Sequence, residues 1–255
     1  MEKIALVTGS SRGIGRAVAR ELARQGWRVC VNYRVRQDCA ESLAAELAAE
    51  GHAIMTYQAD VSQRQQVQAM VRAIQEKWGP VSLLVNNAGV AGQALFQGVT
   101  DEMWERYFST NVDGAYHTIQ AVLPAMLHAH EGCIINISST SGLYGTPKLA
   151  TYCMAKWGVL GLTKTLAKEV GSKGIIVNAL CPTKVKTPMC ETQSYVEFIN
   201  ESTGNHFKDY REMYEGVPFL DVEDISDMVY WMGTSRAAGK FNGRAVALDL
   251  GTLQA

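Results

Sequence analysis

The stretch Ile4-Ala5-Leu6-Val7-Thr8-Gly9-Ser10-Ser11-Arg12-Gly13-Ile14-Gly15 decides the fold. It opens on an unbroken apolar run, the pattern of a strand covered on both faces. It passes through a glycine-rich turn into an amphipathic stretch, Gly15–Gln25, that reads as a helix. Glycine lets the backbone turn tightly and approach a ligand with no Cβ in the way. The helix start adds free N–H groups and a favourable dipole, which together suit a phosphate. A glycine-rich strand-to-helix turn without a ligand is the plainer alternative, but strand, glycine loop and helix in this order are the setting a phosphate loop requires.

The same alternation continues outward. Further strands are expected at Val29–Tyr33, Ala53–Gln58, Ser82–Asn86, Cys133–Ser138, Ile175–Leu180 and Ala245–Leu248, after a first at Ile4–Thr8. Amphipathic helices are expected at Cys39–Glu50, Gln65–Trp78, Glu102–His128, Tyr152–Val170 and Val222–Thr234. Strand–helix alternation predicts an α/β fold: one doubly wound parallel sheet of the Rossmann type, helices on both faces. No linker or repeat interrupts it, so residues 1–255 read as one domain. Between Met189 and Asp221 the rhythm stops. That segment has no clear strand and carries Tyr195, Phe198, Phe207, Tyr210, Met213, Tyr214 and Phe219. A long aromatic excursion after a strand suggests a lid over a site; ordinary helix packing or a subunit contact would leave the same pattern.

Bulk properties narrow the function classes. A chain of 255 residues, 47% hydrophobic and 19% charged, can build a sizeable core without staples. Its net charge of -1 gives no argument for nucleic acid or an anionic membrane as partner. No apolar run reaches the roughly 18 residues of a membrane span, and the start Met1-Glu2-Lys3-Ile4 does not read as a secretion signal. Six cysteines without a CxxC pair fit reduced thiols, hence a cytoplasmic protein. No His/Cys spacing suits a metal, and no Gly-x-Ser-x-Gly turn supports a hydrolase.

Two positions bear on chemistry directly. Tyr152 and Lys156 are spaced i, i+4, which on a helix places them on one face. A phenol ordinarily titrates near ~10. An ammonium beside it is expected to pull that value down, making the pair an acid/base couple. Ser139 ends the fifth strand, where its hydroxyl could stabilise developing charge on a substrate oxygen; Ser138 is its rival.

The glycine spacing is G-x-x-x-G-x-G. With Asn86-Asn87-Ala88-Gly89 after the fourth strand, Ser139 thirteen residues before Tyr152, Lys156 four beyond it, and Asn111 in the helix between, the chain resembles the short-chain dehydrogenase/reductase family over essentially its whole length. Its N-terminal half is most similar to the 3-oxoacyl-thioester reductases. The resemblance implies an oxidoreductase that interconverts a ketone and a secondary alcohol. The catalytic residues would be Ser139, Tyr152, Lys156 and Asn111, the last linking the lysine to a water chain. The cofactor would lie on Gly9, Ser11, Arg12, Gly13, Ile14, Gly15, Arg34, Asp60, Val61, Asn87, Ala88, Gly89, Tyr152, Lys156, Pro182, Val185 and Thr187. Substrate would meet Ser139, Tyr144, Leu149 and Tyr152, within a rim of Val90–Gln93, Leu143–Leu149, Cys190 and the aromatics after Met189.

In dinucleotide folds an acidic residue ending the second strand binds the NAD ribose, and a basic one accommodates the NADP phosphate. Here that strand ends Val31-Asn32-Tyr33-Arg34, with no acid before Asp38. Arg34, helped by Arg12, therefore predicts NADP(H). The resemblance also implies a homotetramer or homodimer, with Trp157, Val159, Leu160 and Leu162 as candidate contacts.

Three departures from the family pattern stand out. Thr183 replaces the glycine usual after Pro182, and a β-branched residue resists positive φ. The segment after Met189 is long for a thioester reductase. The C-terminal motif reads Asp249-Leu250-Gly251 where Asp-Gly-Gly is common. The last two also occur in reductases of free ketones, so a free ketone and an acyl thioester both remain candidate substrates, as does a catalytically silent NADP(H)-binding regulator. Lys184 and Lys186 are read either as solvated or as attracting an acidic substrate or a cofactor phosphate.

Overall fold

The computed structural model describes residues 3–235 and 237–251; residues 1, 2, 236 and 252–255 of the expected single unit lie outside the described residues. Seven strands form one sheet: β1 Ile4–Val7, β2 Arg28–Tyr33, β3 Ile54–Gln58, β4 Leu83–Asn86, β5 Gly132–Ile137, β6 Ile175–Pro182 and β7 Ala245–Leu248. All neighbours pair in parallel, in the order β3-β2-β1-β4-β5-β6-β7. Each expected strand is present, most within a residue or two, though β6 runs on through Pro182.

The helices are α1 Gly13–Arg24, α2 Gln37–Ala49, α3 Arg64–Trp78, α4 Asp101–Phe108, α5 Gly114–Ala129, α6 Ala150–Val170, α7 Gln193–Thr203, α8 Tyr210–Gly216 and α9 Val222–Thr234. Because successive strand residues face opposite ways, the sheet feeds two cores. Val7, Val29, Val31 and Val85 pack under Leu22 of α1, Leu43 of α2 and Val229 of α9. Ile4, Leu6, Leu84 and Val177 pack under Met70 of α3, Val122 of α5 and Leu166 of α6. The strand order reverses between β1 and β4, so a crevice opens at their C-terminal ends, where open parallel sheets bind ligands.

Three expectations need correction. The helix over Glu102–His128 is not continuous. It is broken by a π turn at Ser109–Asp113, centred on buried Asn111, whose side chain is drawn inward by bonds to the loop after β4. Val159 and Leu160 face the sheet and are buried, so they cannot form subunit contacts; the exposed apolar side chains of this region are Met154, Trp157, Trp104 and Tyr116. Thr183 does not adopt positive φ; among the described residues the non-glycine residues that do are His130, Lys148 and Leu250. The Thr183 N–H donates to the Leu248 carbonyl at 2.8 Å, prolonging the β6–β7 ladder.

The excursion after Met189 is helical. α7 and α8 close over a small core of their own, Val196, Ile199 and Met213, flanked by Tyr195, Phe198, Phe207, Tyr210, Tyr214 and Phe219. The short stretch before them makes one parallel bridge, Val185 to Leu220, that ties the far end of the excursion back to the exit of β6.

Candidate active site

The glycine loop is built for close approach. Gly9 has φ +61, and a Cβ there would sit 2.8 Å from the Ala88 Cα, so only glycine admits the loop after β4 against it. Thr8 joins the two loops: its hydroxyl accepts from the N–H groups of Asn87 and Ala88, both at 3.0 Å. The Asn87 amide returns bonds to the carbonyls of Thr8 (2.9 Å) and Gly9 (3.1 Å). From β2, the buried Asn32 side chain accepts from Gly9 N–H (3.1 Å) and donates to the Ala59 carbonyl (3.0 Å). Neither Thr8 nor Asn32 was singled out from the sequence. The available signal was a polar residue inside the apolar run Val29-Cys30-Val31-Asn32-Tyr33.

Beyond the loop, the first intrahelical bond of α1 runs from Arg16 N–H to the Arg12 carbonyl. The N–H groups of Gly13, Ile14 and Gly15 therefore precede it at the open helix end. Arg12 is exposed at the N-cap position and Ser11 is buried. Gly13 lies near Thr187: a Cβ there would be 3.5 Å from the threonine Cγ2. Arg34, half-exposed at the end of β2, has Nη1 3.5 Å from Asp60 Oδ2. An ion pair this exposed and this long is worth little, so the guanidinium stays free to take a phosphate. Asp60 is held in turn by Ser62, which donates its N–H and Oγ–H to Oδ1 at 2.9 and 2.7 Å, and buried Val61 lies beside it. The sequence-predicted cofactor residues Gly9, Gly13, Asn87, Ala88, Gly89 and Thr187 are thus brought together, and Arg34 and Asp60 meet at the end of the β2–β3 edge. The cradle that a Cβ would fill and the basic side chain beside it fit a dinucleotide carrying an extra phosphate.

The chemistry sits at the ends of β5 and the start of α6. Ser139 leaves β5 extended, and its Oγ accepts from the Ser141 N–H at 3.1 Å. The Ser139 hydroxyl stands beside the Tyr152 phenol and favours its charged form. Ser138 is spent elsewhere: it is buried and its Oγ–H donates to the Lys156 carbonyl. One turn after Tyr152, Lys156 is buried, with Nζ donating to the Ile137 carbonyl at 2.8 Å and lying 5.6 Å from the centre of the Tyr152 ring.

Burial governs the titration of both groups. It pushes the Tyr152 phenol up to about 12, against the pull of the Ser139 hydroxyl. It draws the Lys156 ammonium down to about 8. The expectation that the ammonium lowers the phenol therefore does not hold for the chain by itself: desolvation outweighs it, and Lys156 is turned to a carbonyl.

Asn111 clamps the loop after β4, its Oδ1 accepting from Val90 N–H (2.9 Å) and its Nδ2 donating to the Val90 carbonyl (3.0 Å). A Cβ on Gly89 would lie 2.8 Å from Asn111 Oδ1 and 3.7 Å from Lys156 Nζ, so this glycine lets both polar ends converge. Behind them is a cavity of about 10 Å³ touching Thr8, Asn86, Asn111 and Lys156, room for about one water among polar partners.

Below the site, a buried polar chain crosses the sheet. Thr118 donates to Asn86 (2.6 Å), Asn86 to Asn136 (2.9 Å), and Asn136 to Thr163 (2.8 Å), joining α5, β4, β5 and α6. At the rim, Tyr144 is exposed and Leu149 caps α6. Lys148, within the expected rim Leu143–Leu149, has φ 64, accepts Ala94 N–H on its carbonyl at 2.9 Å, and pairs its ammonium with Glu201 of α7. It thereby ties three rim segments together.

The arrangement is matched by comparison with known proteins. Residues 3–196 match the short chain dehydrogenase family. The chain is 38% identical to the 3-oxoacyl-[acyl-carrier-protein] reductase FabG of Staphylococcus epidermidis, over 93% of each protein. It is 32% identical to D-beta-hydroxybutyrate dehydrogenase of Rhizobium meliloti, over 98% of each. Among solved structures, a variant actinorhodin polyketide ketoreductase with NADPH superposes with a TM-score of 0.90 at 33% identity, covering 99% of this chain and 98% of that one. The chain belongs to the short-chain dehydrogenase/reductase family of oxidoreductases.

Proposed function

We propose that this enzyme interconverts a ketone and a secondary alcohol with NADP(H), using Ser139, Tyr152, Lys156 and Asn111. The carrying observation is the Ser139 hydroxyl beside the Tyr152 phenol, set next to the glycine cradle, with Lys156 one turn further along α6 and 5.6 Å from the phenol ring. NADPH, when bound, supplies the hydride. Tyr152 holds the proton: with its pKa at about 12, the phenol is fully protonated at neutral pH and stands ready as the acid for ketone reduction. Ser139 donates to the same substrate oxygen and steadies the charge that develops there. Lys156, near 8, exchanges its proton within the physiological range and can refill the phenol through a water in the cavity beside Asn111. Arg34 and Arg12 supply the cations for the NADP phosphate.

The whole chain, 1–255, acts as one domain in this reading, with 189–221 as the substrate lid. Support for the lid comes from Tyr214, whose hydroxyl reaches the Thr187 carbonyl at 3.5 Å. Free thiols at all six cysteines fit a cytoplasmic enzyme. Exposed Met154 and Trp157 on α6, together with exposed Trp104 on α4 and Tyr116 on α5, fit a homodimer or homotetramer.

A second reading, reduction of a 3-oxoacyl thioester, is favoured by the identity to FabG across nearly the whole length. Oxidation of NADPH, with NADH as control, against a bulky free ketone and an acetoacetyl thioester separates the two. NADPH binding without turnover of any ketone would leave only a cofactor-binding regulator.

A further inference from the structure

The exit of β6 carries two lysines whose fates differ. Val185 bridges Leu220: Leu220 N–H donates to the Lys184 carbonyl and Lys186 N–H to the Leu220 carbonyl, both at 2.9 Å. Val185 goes into the core, while the lysines on either side of it stay outside it. Lys186 is exposed and satisfied, its Nζ 2.9 Å from Asp221 Oδ1. Lys184 is half-buried, and among the described residues no carboxylate pairs with it. What it meets instead is the ring of Phe219, 6.0 Å from Nζ to centroid. Burial lowers its pKa and the neighbouring Cys190 thiol opposes the shift.

Those neighbours lead to the catalytic phenol. Phe219 packs edge-on against Tyr214, with ring centres 4.8 Å apart. The Tyr214 hydroxyl reaches the Thr187 carbonyl, and the Thr187 hydroxyl lies 3.9 Å from Cys190 Sγ. Cys190 lies beside Tyr195 and close to Tyr152. A partly desolvated ammonium without an anion is unfavourable where it stands. With Cys190 as a neighbour that it shares with Tyr152, it gains a partner when a substrate brings one.

We propose that the substrate is a free keto acid and that Lys184 is the residue that binds its carboxylate and so positions the ketone at Tyr152. A compact acid suits this place. The phosphate of a carrier thioester hangs at the far end of a long arm, whereas Lys184 shares its neighbour Cys190 with the catalytic phenol. The inference rests on the ketone-reductase reading above and adds the substrate class to it.

The test is NADPH oxidation by the full-length enzyme with three matched substrates: acetoacetate, its neutral methyl ester, and an acetoacetyl thioester. The wild type is expected to prefer the acid. Lys184→Met should raise KM for acetoacetate by roughly ten- to a hundredfold, the worth of a charge-assisted hydrogen bond. KM for the ester and for NADPH, and kcat for the ester, should stay within about twofold by the same reasoning. Lys184→Arg should keep the acid preference, and a short carboxylate such as butyrate should compete with acetoacetate in the wild type. Equal losses on acid and ester, a rise in KM for NADPH alone, or a wild type that prefers the ester or thioester would each overturn the assignment while leaving ketone reduction intact. Absence of turnover with every ketone would overturn the parent reading and this one together.

Discussion

Replacing Lys156 by Met should make the protein more stable and inactive at once. The wild-type ammonium is buried, and burial lowers its pKa from 10.5 to about 8. That drop corresponds to roughly 3 kcal/mol of unfavourable free energy carried by the folded, protonated state. The variant loses the bond to the Ile137 carbonyl, 2.8 Å in the wild type, which offsets about 1 kcal/mol. A net gain of about 2 kcal/mol remains. Its pH dependence follows from proton counts. Between pH 8 and 10.5 the unfolded lysine still holds its proton while the folded one has released it, so this group makes stability rise with pH across that window. Below it both states are protonated and the full penalty applies. The advantage of Lys156→Met should therefore be largest at pH 7 and shrink as pH climbs through 8 towards 10.5. The buried thiols of Cys30 and Cys133, pushed up to about 12, act in the opposite sense in both proteins and cancel in the difference. Urea unfolding of both proteins without cofactor, at pH 6, 7, 8, 9 and 10, measures it. A variant less stable than wild type at pH 7, or a difference that does not change with pH, would refute the reasoning.

Two further substitutions probe the scaffold and the cofactor site. Asn136→Leu removes the acceptor of the buried Asn86 amide and should cost about 1–3 kcal/mol in urea unfolding, because a buried donor is left unpaired; Thr163→Val, which removes an acceptor for the Asn136 amide at one end of the chain, should cost less, and the reverse order would contradict the network. Arg34→Ala should weaken NADPH binding by roughly tenfold or more while changing NADH little, since the guanidinium serves only the extra phosphate; equal losses for both dinucleotides in fluorescence titration would remove Arg34 from that role.

The fold was open to reading because each strand is a short apolar run closed by a turn residue, and every crossover between parallel strands needs a helix long enough to carry its own periodicity. The exceptions have physical causes. Periodicity spans Glu102–His128 without a break, since a π turn adds one residue without disturbing the polar–apolar balance around Asn111. Val159 and Leu160 look like any apolar helix residues, and only the sheet beneath α6 shows that they are interior. Thr183 looked strained in place of a glycine, but its φ is not positive and its N–H prolongs the ladder to Leu248 in the seventh strand. The reactive residues were legible from their spacing, as Tyr152 and Lys156 on one helical face. What holds the surrounding loops and strands was not: Asn32, Thr8 and the Asn86–Asn136–Thr163 chain work through contacts between segments distant in sequence. The direction of the Tyr152 shift was missed for the same reason. Spacing reveals that a lysine is near, but not that the phenol is buried, nor that the thiols of Cys190, Cys153 and Cys181 push its pKa the same way.

The most direct test of the account is Tyr152→Phe, assayed for NADPH binding and for NADPH oxidation with a ketone that the wild type reduces. Removing one hydroxyl deletes the proton donor and leaves the glycine cradle, Arg34 and Lys156 in place. The account predicts unchanged NADPH affinity and turnover reduced by at least about a hundredfold, the usual scale of a lost general acid. A variant that binds NADPH normally and keeps most of its rate would show that the proton comes from elsewhere, and would contradict the central claim.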